Sequence, residues 1–171
     1  MAKKTSEVIK IGLISDTHGY LDPRFFELFS EVDEIWHAGD IGDENVLTDL
    51  ETFKTCRAVF GNIDDWNIRS RITEHQRFEC EGLKVWMTHI GGYPGKYSPS
   101  VKAEIFKNPP NLFISGHSHI LKVMFDKNLN CLHINPGAAG KSGFHQIRTA
   151  IRFAIDKGEI KDLEVIELGK R

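Results

Sequence analysis

Five apolar runs in this sequence end in residues able to bind metal ions. Asp16-Thr17-His18 closes VIKIGLIS, Gly39-Asp40 follows EIWHA, and Gly61-Asn62 follows CRAVF. His89 ends the run LKVWMT, and Gly116-His117-Ser118-His119 follows LFIS. Residues two apart in an extended chain point to the same side, so Asp16 is expected to act with His18, and His117 with His119. The glycines before Asp40, Asn62 and His117 leave room for close backbone approach. Two carboxylates, one amide and four imidazoles are too many for one tetrahedral site. Shared between two six-coordinate ions, with water completing the shells, they fit. Asp40 is the natural bridge, giving one oxygen to each ion. Donors of oxygen and nitrogen without thiolate favour manganese, iron or zinc over copper(I) or an iron–sulfur cluster. We therefore expect two divalent transition-metal ions per chain, manganese first, with iron, nickel or zinc as alternatives. Such a pair clamps a phosphate and generates a hydroxide nucleophile between the ions. Asp40, Asn62 and His117 are the residues expected to be catalytic.

These groups can converge only if the fold brings strand ends together, and in α/β sheets ligands collect at the carboxyl ends of strands. The pattern predicts strands over residues 8–15, 34–38, 56–60, 77–80, 83–88 and 112–115, with helices over 24–29, 43–53 and 100–107. Pro23 suits a first-turn proline, and Glu81-Gly82 reads as a two-residue hairpin turn. The stretch GGYPGKYSP is full of breakers and reads as a loop. The last third (LKVMFD, CLHIN, IRTAIRFAID, EIKDLEVIEL) alternates with period two between Lys-Asn and Lys-Gly turns, so it should be mostly antiparallel. Strands interleaved with helices and then paired as hairpins predict a mixed α/β architecture with two sheets face to face.

Length and composition set the outer bounds. The chain has 171 residues and 40% hydrophobic residues, which predicts one domain over 1–171 with an ordinary core. Twenty-two Lys+Arg against 24 Asp+Glu give a net charge of −2, and Lys3-Lys4 is the only basic run, so an extended nucleic-acid partner is disfavoured. No apolar stretch reaches the roughly 18 residues of a membrane span, and the start carries no signal-peptide core. The three Cys are odd in number and widely spaced, so they read as reduced core thiols of a cytoplasmic protein. Of the eight His, His37, His75, His133 and His145 fall outside the ligand series and read mostly as packing or surface residues. Exposed aromatics leave a homo-oligomer open.

The series Asp16-x-His18, Gly39-Asp40, Gly61-Asn62, His89 and Gly116-His117-Ser118-His119 resembles the calcineurin-like metallophosphoesterase superfamily. The short, uncapped chain is similar to its small phosphodiesterase branch, which also includes the retromer subunit Vps29. The resemblance covers residues 9 to about 140. It implies a four-layer α/β/β/α sandwich of two mixed sheets flanked by helices, with a dinuclear site on one edge. It further implies that Asp16, His18, Asp40 and His119 hold one ion, and Asp40, Asn62, His89 and His117 the other. The implied activity is hydrolysis of a small phosphodiester, with in-line attack on phosphorus by metal-bridging hydroxide. Many members carry a leaving-group His directly after the Asn. Here that position is Ile63, with Asp64 or Asp65 as substitutes to be tested. Arg69, Lys96 and Lys141 are candidates for steadying the substrate, and Trp66 for packing or a subunit contact.

The alternative is a metal-poor protein-binding scaffold of the retromer-subunit type. It is disfavoured because every ligand position keeps a competent side chain. A metal-dependent amidohydrolase is excluded by length, since its barrel needs about 250 residues. A metallo-β-lactamase fold needs an Asp soon after the His pair, where this chain has Ile120-Leu121-Lys122.

Overall fold

A computed structural model describes residues 7–171, so Lys3-Lys4 lies outside the described residues. In chain order the elements are β1 (Ile9–Ile14), α1 (Phe25–Leu28), β2 (Glu34–His37), α2 (Glu44–Phe53), β3 (Thr55–Ala58), α3 (Trp66–Arg69), β4 (His75–Cys80) and β5 (Leu83–Thr88). They continue with β6 (Gly92–Tyr93), β7 (Lys96–Tyr97), α4 (Pro99–Lys107), β8 (Leu112–Ile114), β9 (Lys122–Asp126), β10 (Cys131–Asn135), β11 (Ile147–Asp156) and β12 (Glu159–Lys170). One sheet runs β12-β11-β1-β2-β3 and the other β4-β5-β8-β10-β9. Both are mixed: β1, β2 and β3 are parallel while β11 joins β1 antiparallel. In the second sheet β5, β8 and β10 are parallel and the two outer strands antiparallel.

Apolar alternation on the strands accounts for the layering. Leu13, Trp36, Val85, Met87, Ile114, Ile134 and Phe153 meet between the two sheets. The other face of the first sheet packs Ile14, Ile35 and Ala150 against Phe25, Leu47, Leu50 and Ile68 of the helices. The outer face of the second sheet buries Trp86 and Phe113 under Val101 and Ile105 of α4. The result is the expected α/β/β/α sandwich. Glu81 and Gly82 both have positive φ (44° and 85°), as a type I′ hairpin turn requires, and Lys157-Gly158 repeats this between β11 and β12. Helix α2 begins where Asp43 accepts a hydrogen bond from the Asn45 backbone.

Helix α1 is a single turn lying within the expected 24–29. Helix α3 was not expected, and GGYPGKYSP contains the short β6–β7 hairpin. The last third is mostly antiparallel as expected, with the one parallel pairing of β10 to β8. Cys56, Cys80 and Cys131 are free, and burial pushes their thiols up to about 12, 11 and 12, so they remain protonated and unreactive.

An ionic clamp ties β11 and β12 to the segment that follows Asp16 and His18. Arg148 donates to Asp22 at 2.9 Å and to the Leu168 carbonyl at 2.7 Å, and Arg24 adds a second guanidinium to Asp22. Arg24 first, and then Arg148, hold the Asp22 carboxyl well below the usual carboxylate range. Asp22→Asn would leave the buried Arg148 without its counter-charge, a cost of about 3 kcal/mol at pH 7. A depressed folded pKa stabilises above the unfolded value near 4 and loses its effect as the pH falls through the folded one. Urea unfolding should therefore show the two proteins far apart at pH 7 and converging toward pH 2.

Candidate metal centre

Strands β1, β2, β5 and β8 deliver Asp16, Asp40, His89 and His117 to the same edge of the sandwich. Two groups of donor atoms form there: Asp16, His18 and His119 in one, Asp40, His89 and His117 in the other. The Asp40 Oδ2 lies 3.2 Å from His89 Nε2 and 3.5 Å from His18 Nε2, between the two groups. The Asp16 Oδ1 lies 3.2 Å from His119 Nε2 and 3.8 Å from His89 Nε2. Asn62 lines an adjoining cleft with His89.

The chain reaches this arrangement through strained turns. Asp16, His18, Asp40, His117 and His119 all have left-handed φ, between 47° and 69°. Such backbone is uncommon for residues with a Cβ and clusters at functional sites. Spacing alone pairs His117 with His119, but the two fall in different groups, as the family resemblance implies, while Asp16 and His18 stay together. Gly61 shows how tight the packing is: a Cβ there would sit 2.0 Å from Asp40 Oδ1. At Gly39, with φ of 96°, a Cβ would meet His89 Cβ at 2.6 Å.

Each carboxylate is tied down by one oxygen and free at the other. Asp16 Oδ2 accepts from Ser15 Oγ (2.6 Å) and from the His117 N–H (3.2 Å). Asp40 Oδ1 accepts from the Ile63 N–H at 3.1 Å. The free Oδ1 of Asp16, and the Nε2 atoms of His18 and His89, are buried without a hydrogen-bond partner in the protein. Buried polar atoms normally have partners, and lone pairs converging without donors fit a cation. Burial disfavours charge on His89, but Asp40 against its Nε2, with Asp16 beyond, holds the imidazole above its ordinary value. Asp40 is likewise opposed by burial yet held below the carboxylate norm by His89.

The histidines are presented in the right tautomer by residues that the sequence did not mark. His89 Nδ1 donates to the Ala38 carbonyl at 2.8 Å, which leaves the Nε2 lone pair for a metal. His145 Nε2 donates to the Gly140 carbonyl at 2.8 Å, so its Nδ1 accepts from His119 Nδ1 at 3.3 Å and leaves His119 Nε2 free. His37 is buried and kept neutral, at about 4, chiefly by desolvation. It accepts from the Gly39 N–H (3.1 Å) and donates to Thr17 (2.9 Å), pinning the Asp16 loop to the Asp40 loop. His37 and His145 are therefore supports of the site rather than simple packing. Nothing periodic in the sequence marks them, because their partners are mostly backbone carbonyls and loop amides. His145→Ala should weaken Mn²⁺ binding about 10- to 100-fold, measured by calorimetry, with the circular dichroism spectrum kept.

The other candidates fall outside donor positions. Asp64 accepts from the Gly42 and Gly61 N–H groups, both at 2.8 Å, so it clamps two loops with both oxygens engaged and is buried. Asp65 caps α3. Arg69 donates to the carbonyls of Asp64, Gly61 and Asn62, bracing that loop. Lys141 lies over the Tyr20 ring at 4.3 Å, and Lys96 is exposed on β7. Trp66 is 78% exposed, which rules out a packing role within the chain.

Two groups of carboxylate and imidazole donors on one edge of the sandwich define a candidate metal centre. The profile of the calcineurin-like phosphoesterase superfamily domain matches residues 9–158, and the chain belongs to that family. Among curated relatives, a probable metallophosphoesterase of Methanothermobacter thermautotrophicus is 31% identical over 93% of this chain and 92% of its own length. A phosphodiesterase of Methanocaldococcus jannaschii is 28% identical over 75% of this chain and 83% of its own. Among solved structures, a novel archaeal phosphodiesterase superposes with a TM-score of 0.73 at 24% identity, covering 93% of this chain and 99% of that one. Vps29 of Entamoeba histolytica, solved with zinc, gives a TM-score of 0.66 at 15% identity over 94% and 100% of the two chains. At these identities the structural likenesses establish the fold. No described helix is long and apolar enough to cross a membrane.

Proposed function

We propose that the protein hydrolyses small phosphodiesters with two divalent metal ions. Asp16, His18, Asp40 and His119 would hold one ion, and Asp40, Asn62, His89 and His117 the other, with manganese as the first candidate metal. The observation that carries this reading is the convergence of unpartnered, buried donor atoms around Asp40 Oδ2 and Asp16 Oδ1. Bound divalent cations would supply the positive charge that activates water and offsets charge on the phosphoryl oxygens. The chain's own part is to aim the donors. Ser15, the Ile63 N–H, Ala38 and His145 fix the ligand atoms, so little reorganisation accompanies reaction. His117 is exposed beside the second group, where it can meet both metal and substrate. Ile63 offers no proton, and Asp64 is buried holding two loop amides, so leaving groups that depart without protonation are favoured.

The relatives' names as metallophosphoesterase and phosphodiesterase support the same class of reaction. The scaffold alternative draws on the Vps29 neighbours, but the intact donor set favours the enzyme. The reading places one domain over 1–171, working in the cytoplasm. The test is a screen of aryl diesters, aryl monoesters and cyclic nucleotides with Mn²⁺, Ni²⁺, Zn²⁺ and Mg²⁺. Metal-dependent turnover, with aryl diesters ahead of alkyl ones, supports the proposal; no turnover with any metal refutes it.

A further inference from the structure

Phe144 is 75% exposed, yet its ring lies stacked beside that of His119, with centroids 6.0 Å apart and planes inclined by 16°. His119 belongs to the first donor group, where its Nε2 lies 3.2 Å from Asp16 Oδ1. Single exposed apolar side chains are ordinary on protein surfaces. This one differs in how firmly the chain holds it. The preceding residue, Gly143, has a φ of 122° and packs so closely that a Cβ there would meet His119 Nδ1 at 2.2 Å. The following residue, His145, is buried and fixed both to the Gly140 carbonyl and to His119 Nδ1. The phenyl ring therefore stands at a set position against a donor imidazole while most of its surface faces solvent. It also lines an open hollow of about 480 Å3 with His145, Gln146, Ile147, Lys170 and Arg171, so a group laid against the ring has room.

We infer that Phe144 is a stacking platform for a planar aromatic arm of the phosphodiester, as in an aryl or nucleobase-bearing ester. The inference rests on the phosphodiesterase reading and names the substrate class within it. A flat ring can lie against Phe144 as Phe144 lies against His119, in the offset arrangement that aromatic pairs prefer, whereas a puckered saturated ring cannot. Every aromatic ring presents a π-face, so such a platform selects for planarity and not for one particular base. Because the flanking residues already fix the segment, little freedom is lost when a ligand settles on it. Reach is also met. Only the His119 imidazole separates Phe144 from the first donor group, a gap that one ester linkage to an aromatic ring spans.

The test measures binding, so leaving-group chemistry does not enter. Methyl benzylphosphonate, methyl (cyclohexylmethyl)phosphonate and methyl methylphosphonate, diester analogues of equal charge, are titrated into the Zn²⁺-loaded protein and followed by NMR. The benzyl compound should bind about tenfold tighter than the methyl one and ahead of the cyclohexylmethyl one. Its ring protons should move upfield, as a face-on neighbour ring requires. Phe144→Leu should bring the benzyl and cyclohexylmethyl compounds level and abolish the upfield shift, with methyl methylphosphonate bound as by the wild type. Phe144→Trp should keep the benzyl advantage. Equal affinities in the wild type, or a benzyl advantage that survives Phe144→Leu, overturns the inference. So does an equal loss for all three compounds in Phe144→Leu, which would make the ring a brace for His119 alone. Discrimination by a chain that hydrolyses no diester contradicts the phosphoesterase reading and leaves the platform standing. Turnover of aryl diesters without discrimination refutes the platform alone.

Discussion

Replacing Asp40 by Asn is expected to remove nearly all diester turnover, by about a thousandfold or more, while leaving the fold intact. The effect follows from where the two oxygens go. Oδ1 is held by the Ile63 N–H, and an amide oxygen can keep that bond. Oδ2 stands between His18 and His89, and there the substitution exchanges an anionic oxygen for an uncharged NH₂ that presents hydrogens to two imidazole lone pairs. A residue able to serve both donor groups becomes one that can serve neither. Losing several kcal/mol of charge stabilisation corresponds to about three powers of ten in rate. Kinetics on bis(p-nitrophenyl) phosphate with saturating Mn²⁺, together with thermal unfolding, gives the answer. A variant with the wild-type rate would show that Asp40 does not bridge.

Gly61→Ala should be nearly as damaging, although it removes no ligand. Its added Cβ would fall 2.0 Å from Asp40 Oδ1 and 2.4 Å from the Asp40 backbone nitrogen, distances that real carbon atoms do not tolerate. The loop must move away or Asp40 must turn, and the Ile63 N–H that anchors Asp40 lies in the same loop. Asp64 ties Gly61 to Gly42, so the displacement would reach the neighbouring turn as well. We expect Mn²⁺ affinity to fall by about 100-fold, in line with the loss of an outer-shell anchor. Calorimetric titration checks this, and unchanged affinity would mean that the loop accommodates the methyl group.

The ligand series was legible because each member ends an apolar run, and strand ends bear a direct relation to sheet edges. The glycines before Asp40, Asn62 and His117 were legible for the same reason: a residue without a side chain, next to a ligand, signals close approach. Other features had no such signature. The partition of His117 from His119 came from the family resemblance, since their two-residue spacing alone pairs them. The roles of His37, His145 and Asp64 depend largely on hydrogen bonds to backbone groups, of Gly39, Gly140, and Gly42 and Gly61 respectively, and backbone groups carry no sequence identity. The parallel pairing of β10 with β8 escaped notice because a hairpin signal describes the strand's sequence neighbour, not the strand on its other side.

The most direct test of the central claim is anomalous scattering from crystals of the Mn²⁺-loaded protein. Two peaks are predicted on one edge of the sandwich, one against Asp16, His18 and His119, the other against Asn62, His89 and His117, with Asp40 touching both. No peak there, or a single peak that excludes Asp40, would contradict it.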